Sequence, residues 1–581
     1  MKTVFKKKNL KAKISQGYRT IGVFLMLALT LFSCSDPLEE EVYDAFTGDG
    51  FFNSVTSAEQ GMWGIYDKIA SRDLFAERFF LFFQQGSDHA RYWRVNRGND
   101  DDFLCNYQIQ ENNREINEAW KGLYQAVYRA NLVIDQVTLL RDGLAGKSNL
   151  SKPEAENLAA YNNVLGDAHF LRGFVYFQLI KNWGGVPLRL SSNVSLSNLK
   201  SERAPLVDVY KQIEKDILYA ISLLPPASET RSPGRVSKGA AQGMMSRVYL
   251  HWAGFPLNDT SKFPEAAKQA LAVMQSGQHQ LNTNIEKLTV GAPFDGYFPD
   301  VFHNLAKNIY ESKESMWEIH YSYPGDTNDN ASVVGVWHGI RSNTSSIYKR
   351  GGPRWYPLPS FYHSFKENDS IRRDWSIARF EIDANANFVE LTEDSRAPRA
   401  PNWGVGKFRR YLIPNLSPEN NFESMNWPVI RYADVLLMFA EGVNESVLNG
   451  ETLPAGATMQ MAYDAVNQVR RRAMGMFSPN SEIDLVGAGG EEFRQQIRDE
   501  RSWELCFERT RKSDLIRWGI LGDVIAQTSL AMDDLGFTHE EAYFQADNFE
   551  PKHVLLPIPY AAEISQNPDV LNTDPTNNGY R

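Results

Sequence analysis

The segment from about residue 491 to residue 510 predicts a helix that carries carboxylates on its apolar face. Residues at steps of four, three, four and three share that face: Phe493, Ile497, Glu500, Glu504 and Phe507. A carboxylate on a core-facing stripe is costly unless cations and hydrogen-bond donors meet it. We therefore predict a buried ion-pair network in which arginines from elsewhere in the fold bind Glu500 and Glu504.

The same two glutamates allow a second hypothesis, in which they act as general acid and base in glycoside hydrolysis. That chemistry needs two carboxyl groups about 5 to 9 Å apart. The sequence has no HExxH, GxSxG or phosphate-binding glycine motif, so this pair is the best catalytic candidate. We favour the ion-pair hypothesis and predict a protein that is not an enzyme and has no cofactor or metal site.

Helical periodicity recurs on both sides of a loop-rich central region. The other predicted helices cover residues 118–140, 153–183, 205–224, 238–253, 264–276, 430–448 and 459–474. Their lengths and short connections predict helix pairs like those of a helical-repeat solenoid. No sequence period of about 34 residues accompanies them, so the repeat is at most structural.

Arg172 lies on an apolar side of the predicted helix 153–183. It shares that side with Ala168, Val175 and Leu179, which predicts that its stem and its guanidinium are buried. Arg172 is therefore a candidate partner for Glu500 or Glu504.

The N-terminus has the features of an export signal. Residues 1–20 are basic, and residues 21–32 form an apolar run that is shorter than the roughly twenty residues needed to span a bilayer. The segment resembles a bacterial lipoprotein signal, which implies that Cys34 becomes the lipidated, palmitate-bearing first residue. The acidic residues that follow resemble an export tag for the outer leaflet. The alternative is an ordinary cleaved signal followed by a free thiol.

Charge and cysteine content exclude several classes of protein. The net charge is −10, and residues 1–33 hold seven cations and no acid, which leaves −17 for the remainder. Such a surface is a poor partner for nucleic acid, which rewards clustered Lys and Arg. The three cysteines, Cys34, Cys105 and Cys506, form neither a disulfide framework nor a zinc-binding spacing.

Two stretches combine aromatic rings with polar side chains. A sugar presents an apolar face and a rim of hydroxyls, so its receptor needs aromatic platforms beside donors and acceptors. The first stretch lies in a predicted long loop, residues 84–107, and the second lies in the loop-rich region near Asn343, where residues 316–323 form the clearest strand. The predicted ligand-binding residues are Tyr92, Trp93, Arg94, Asn96, Asp100, Arg354, Trp355 and Tyr356.

Five sequence blocks resemble the outer-membrane lipoproteins of the SusD/RagB family. They are the start at Cys34, residues 168–188, residues 246–254, residues 428–446 with 465–475, and residues 500–519 with 555–572. The resemblance implies a mainly α fold, in which four tetratricopeptide-like helix pairs carry a loop-rich, partly β insertion. It also implies glycan binding without catalysis and a SusC-like TonB-dependent barrel transporter as partner. It transfers no individual binding residue.

These observations predict five segments and one main function. The segments are a signal peptide (1–33), a lipidated tether (34–56), an N-terminal helical region (57–281), a loop-rich ligand region (282–428) and a C-terminal helical region (429–581). We expect a lipid-anchored protein of the outer membrane, exposed at the cell surface, that binds oligosaccharide or polysaccharide for the transporter. A peptide-binding lid of such a transporter is the alternative, and a lipoprotein glycosidase is a weaker one.

Overall fold

The computed structural model describes most of the chain beyond residue 47. The described residues are 48–83, 86–93, 98–193, 200–230, 234–283, 297–321, 331–343, 347–393, 400–413, 422–479, 482–537 and 543–581. Contacts between Cα atoms divide the chain into residues 1–51 and 52–581. The first unit contributes one described helix, α1 (Gly48–Phe51). Cys34 lies outside the described residues.

The second unit is mainly helical, as predicted. Its helices before the loop-rich region are α2 (Val55–Ile69), α3 (Asp100–Cys105), α4 (Arg114–Ala145), α5 (Lys152–Trp183), α6 (Leu206–Leu223), α7 (Lys238–Ala253) and α8 (Lys262–Gln275). Side-chain caps begin several of them, because the first backbone N–H groups of a helix lack partners within it. Asn113, for example, accepts from the backbone N–H groups of Glu115 and Ile116 at the start of α4.

Short helices and strands fill the loop-rich region, and longer helices follow it. The helices are α9 (Tyr297–Lys307), α10 (Val334–Trp337), α11 (Pro359–Ser364), α12 (Ser370–Ser376), α13 (Tyr432–Leu448), α14 (Met459–Ala473), α15 (Glu491–Glu504), α16 (Arg511–Arg517), α17 (Leu521–Asp534) and α18 (Gln545–Asn548). The strands are β1 (Ala90–Tyr92), β2 (Ser315–Ile319), β3 (Trp355–Pro357), β4 (Ile377–Ala378), β5 (Phe380–Ile382), β6 (Phe388–Glu390), β7 (Gly404–Val405) and β8 (Trp427–Arg431). Among the described residues these strands form four two-stranded antiparallel sheets, β1–β3, β2–β8, β4–β7 and β5–β6.

The long helices pack in four successive pairs, α2 with α4, α5 with α6, α7 with α8, and α13 with α14. Neighbouring pairs also contact each other, since α4 packs on α5, α6 on α7, and α8 on α13. The predicted array of four helix pairs is therefore confirmed. None of the helices in the described ranges is long and apolar enough to cross a membrane.

Strand β2 fastens the loop-rich region to this array. Its central Trp317 is fully buried and lies edge-on against Phe170 and Phe174 of α5, with ring centroids 5.0 and 5.1 Å away. The β2–β8 register aligns Ser315 with Arg431, directly before α13. Aromatic burial of this kind dominates core energetics, so the helices hold the loop-rich region in a fixed position.

Several predicted elements differ from the structure. The helix expected at 491–510 ends at Glu504, because Phe507 and Arg509 adopt φ angles of 63° and 66°, which no right-handed helix contains. Strand β8 replaces the expected start of a helix at residue 430. The expected loop at 84–107 contains β1 and α3, so the prediction that it lacks regular structure is wrong.

Arg172 is buried as predicted, but its predicted pairing with Glu500 or Glu504 is wrong. Its Nε and Nη2 donate to the two carboxylate oxygens of Asp216 on α6, at 2.9 and 2.7 Å. Its Nη1 donates to Asn131 Oδ1 on α4 at 2.9 Å. The bidentate pair lies between neighbouring helices, so Arg172 links α4, α5 and α6.

Replacing Arg172 with Met should lower the free energy of unfolding by about 3 to 5 kcal/mol, because the buried carboxylate of Asp216 would lose its bidentate guanidinium and keep only the contact with His169 Nδ1 at 2.8 Å. Urea unfolding followed by circular dichroism measures this loss. The control is Lys211→Met, which removes a solvent-exposed partner of Asp208 and should cost less than about 1 kcal/mol. A neutral Arg172→Met variant would contradict the assignment.

Candidate functional site

The two stretches predicted to bind ligand come together in one small sheet. Strand β1 pairs with β3 in antiparallel register, with Arg91 opposite Tyr356 and Tyr92 opposite Trp355. The backbone N–H of Trp93 continues the ladder by donating to the Arg354 carbonyl at 2.9 Å. Residues far apart in sequence therefore lie side by side at the end of this sheet.

The guanidinium of Arg354 contacts two tryptophan rings. Its guanidinium carbon lies 4.7 Å from the ring centroid of Trp93 and 4.5 Å from that of Trp337. Each contact is within the range of a cation–π attraction, and the backbone N–H of Arg354 also donates to the Trp337 carbonyl at 2.8 Å. The two rings and the guanidinium form one cluster, which we call the Trp–Arg–Trp stack.

The edge of the stacked guanidinium is available for hydrogen bonding. Within the described part of the chain the side chain of Arg354 makes no hydrogen bond, and the nearest carboxylate oxygen, Asp101 Oδ2, lies 4.0 Å from its Nη1. A guanidinium has five N–H donors in its own plane. Arg354 also lines an open cleft, so a ligand in that cleft can accept hydrogen bonds from these N–H groups.

An open cleft of about 460 Å³ adjoins Arg354. Its lining is charged on nearly every side: Glu77, Arg78, Phe82, Gly98, Asn99, Asp100, Asp101, Arg114, Glu115 and Arg354. Of the predicted site residues, Asp100 and Arg354 line this cleft. Trp337 and the charged residues at the start of α4 were not predicted as site residues from the sequence. For Arg114 and Glu115 a signal was present, since they directly follow the N-cap residue Asn113 and so mark a helix end beside a loop.

Most charges around the cleft are paired. Glu115 accepts from Arg78 Nη1 at 2.5 Å and from Arg114 Nη2 at 2.7 Å. The Tyr92 hydroxyl donates to Asp101 Oδ2 at 2.5 Å, and burial together with that carboxylate raises the pKa of Tyr92. The cleft therefore offers fixed donors and acceptors without a large excess of either charge, which suits a ligand rich in hydroxyl groups.

The other predicted residues occupy supporting or undescribed positions. Tyr92 and Trp355 are buried, and Trp355 Nε1 donates to the Leu81 carbonyl at 2.8 Å, so Trp355 belongs to the core beneath the sheet. Tyr356 is also buried and lies under the guanidinium of Arg91, 5.0 Å away. Asn343 is exposed and bonds through its backbone to Ile382 instead of joining the cleft. Arg94 and Asn96 lie outside the described residues.

Glu500 and Glu504 form the predicted buried ion pairs. Glu500 accepts from Arg372 at 2.6 Å and from Arg470 at 3.0 Å. Glu504 accepts from Arg472 at 2.6 Å, and it also accepts from Arg431 and Arg372 at 3.1 and 3.2 Å. Both carboxylates have no exposed surface, so no sugar ring reaches them.

The electrostatics of Glu504 also oppose a role in acid catalysis. Burial by itself raises the pKa of this carboxyl, but the guanidiniums of Arg472, Arg431 and Arg372 outweigh burial and lower the pKa to about 2. A general acid for glycoside hydrolysis needs the opposite shift. The burial and pairing of Glu500 and Glu504 therefore support the ion-pair hypothesis over glycoside hydrolysis.

Comparison with known proteins identifies relatives along nearly the whole chain. A sequence profile described as the SusD family matches residues 313–580, and one described as starch-binding associating with outer membrane matches residues 38–250. A SusD-like protein of Formosa agariphila is 28% identical, with 97% of this chain and 99% of that protein aligned.

Solved structures agree with these matches. A SusD homolog from Bacteroides thetaiotaomicron superposes with a TM-score of 0.79 and 26% identity, covering 91% of this chain and 98% of that one. A laminarin-binding SusD-like protein superposes with a TM-score of 0.60 and 22% identity, covering 89% and 98%. The second likeness concerns the fold alone.

Replacing Glu500 and Glu504 together with glutamine should lower the free energy of unfolding by at least about 3 to 5 kcal/mol, because the arginines around them would lose their counter-charges. Chemical unfolding of the double variant measures the effect.

The matched control is Glu491→Gln with Glu492→Gln, a pair on the exposed first turn of the same helix. That variant should lose less than about 2 kcal/mol. Equal stability losses in the two double variants would contradict the network's structural role.

Proposed function

This chain belongs to the SusD family, and on that basis we propose that it is a cell-surface lipoprotein that binds an oligosaccharide or polysaccharide. In this proposal it is anchored through lipid on Cys34, delivers its ligand to a SusC-like TonB-dependent outer-membrane transporter, and catalyses no reaction. The lipoprotein-like N-terminus and the matching profile that is described as outer-membrane associated support this location.

The Trp–Arg–Trp stack is the observation that carries glycan binding. It presents aromatic rings and an in-plane set of N–H donors beside a cleft whose volume of about 460 Å³ falls within the range of small-ligand sites. A pyranose can lay its C–H face against a ring while its hydroxyls reach Arg354 and the carboxylates of the cleft. One structural relative is described as a laminarin-binding SusD-like protein, which supports a glycan as the ligand.

Glycan binding is tested with the protein lacking the segment before Ser35, against a panel of plant, fungal and host polysaccharides and a set of peptides. One glycan class should bind, and Trp93→Ala or Trp337→Ala should each weaken its affinity about tenfold or more, the loss expected for a central aromatic contact. Isothermal titration calorimetry measures both.

The control is Trp63→Ala, because Trp63 on α2 is exposed, at 40%, and neither lines the cleft nor belongs to the Trp–Arg–Trp stack. Full affinity in both Trp93→Ala and Trp337→Ala, or an equal loss in Trp63→Ala, would contradict the proposed site. Binding of peptides and of no glycan would favour the peptide-cargo alternative. Trp355→Ala is not a clean probe, since removing a fully buried ring should destabilise the protein by about 3 to 5 kcal/mol.

The transporter partnership has its own test. Affinity purification of the lipidated protein from outer membranes should recover a TonB-dependent barrel in detergent. Recovery of the protein alone under conditions that keep other membrane complexes intact would contradict the partnership.

A further inference from the structure

A second cavity, of about 40 Å³, shares no lining residue with the cleft. Part of its wall is aromatic, formed by Phe75, Phe79, Phe80, Phe174 and Trp427. A cavity needs about 10 to 15 Å³ to hold one water molecule, so this one accommodates a few waters or a single small ion.

The ionisable part of the wall is mainly cationic. Lys181, Arg247, Arg501 and Arg509 line the cavity, whereas its only lining carboxylates within the described ranges are Glu508 and Asp514. The wall therefore holds more positive than negative charge.

Both carboxylates already accept hydrogen bonds from cations, one of which, Arg501, also lines the cavity. Glu508 accepts from Lys407 at 2.7 Å and from Arg431 at 2.7 and 2.8 Å. Asp514 accepts from Arg501 at 2.9 Å and from Arg517 at 2.9 Å. These contacts reduce the ability of Glu508 and Asp514 to balance the charge of Lys181.

Two of the cationic side chains have N–H donors that make no hydrogen bond to any described residue. Arg247 Nη2 donates to Asp434 at 2.5 Å, but its buried Nε has no hydrogen-bond partner in the part of the chain that the structure describes. Lys181 Nζ lies 5.1 Å from the Phe177 ring centroid and makes no ion pair with any described carboxylate. Burial, and after it the charge of Arg247, lowers the pKa of Lys181 to about 7.

Arg509 reaches the cavity from an unusual backbone position. Its φ of 66° is left-handed, a conformation that favours glycine, and its guanidinium carbon lies 4.1 Å from the Phe80 ring centroid. A non-glycine residue there costs backbone energy, and such strain is often retained at binding sites.

We propose that this cavity binds one small oxyanion, held by Lys181, Arg247 and Arg509. The bound group is an inorganic phosphate or sulfate, or the carboxylate of a larger ligand, since these share acceptor oxygens that match ammonium and guanidinium donors. The site is independent of glycan binding in the cleft.

Equilibrium dialysis of the purified protein with labelled inorganic phosphate, at constant ionic strength, tests the proposal. We expect saturable binding of one phosphate per chain. Lys181→Met and Arg509→Gly should each weaken it about tenfold or more, as expected when a charge-assisted hydrogen bond is lost. Lys268→Met, which removes an exposed lysine on α8, should bind like the unmodified protein.

Competition identifies the bound group. Displacement of phosphate by sulfate assigns an inorganic tetrahedral anion, and displacement by acetate assigns a carboxylate. Arg509→Gly is expected to fold, because glycine adopts the left-handed conformation without strain, and thermal unfolding checks this. No saturable phosphate binding, or equal binding by the three variants, would overturn the proposal.

Discussion

The fold depends on a buried network in which five cations and five carboxylates balance each other. The cations are Lys407, Arg372, Arg431, Arg470 and Arg472, and the carboxylates are Glu314, Asp369, Glu500, Glu504 and Glu508. All ten side chains are buried. Desolvating any one of these charges alone would cost several kcal/mol, so each depends on the presence of the others. Such a network stabilises one arrangement of its elements because other arrangements separate the charges.

The network also explains how the loop-rich region keeps a defined position with little regular structure. Arg372, Lys407 and Glu314 come from that region, and they bind carboxylates and arginines on α14, α15 and the segments beside them. The β2–β8 ladder and the buried ring of Trp317 add backbone and aromatic contacts to the same attachment. Short strands such as β1 and β3 can then meet at a fixed place, although a two-stranded sheet is marginally stable alone. The Trp–Arg–Trp stack is therefore positioned by contacts far from it.

Periodicity predicted the long helices and the burial of Glu500 and Glu504, because both follow from the spacing of residues within one element. It could not predict which cation meets which carboxylate. Arg172 faces inward as its helical position requires, yet its partner is Asp216 on the adjacent helix, and only the packing order of α5 and α6 decides that. The end of α15 at Glu504 depends on the left-handed backbone at Phe507 and Arg509, which tertiary contacts maintain against local preference.

The candidate site shows the same division between local and long-range information. Composition identified both aromatic stretches, but three-residue strands carry too little periodicity to reveal that β1 and β3 pair. The pairing of β1 with β3 decides which aromatic rings a ligand can reach. Successive strand residues point to opposite faces, so Trp355 enters the core while Arg354 beside it stays at the cleft. Trp337 contacts Arg354 from α10, which belongs to neither strand of this sheet. Because two rings and a backbone ladder fix the guanidinium before any ligand arrives, binding to Arg354 should cost little side-chain entropy, and its planar donors can select a hydroxyl pattern instead of adapting to one.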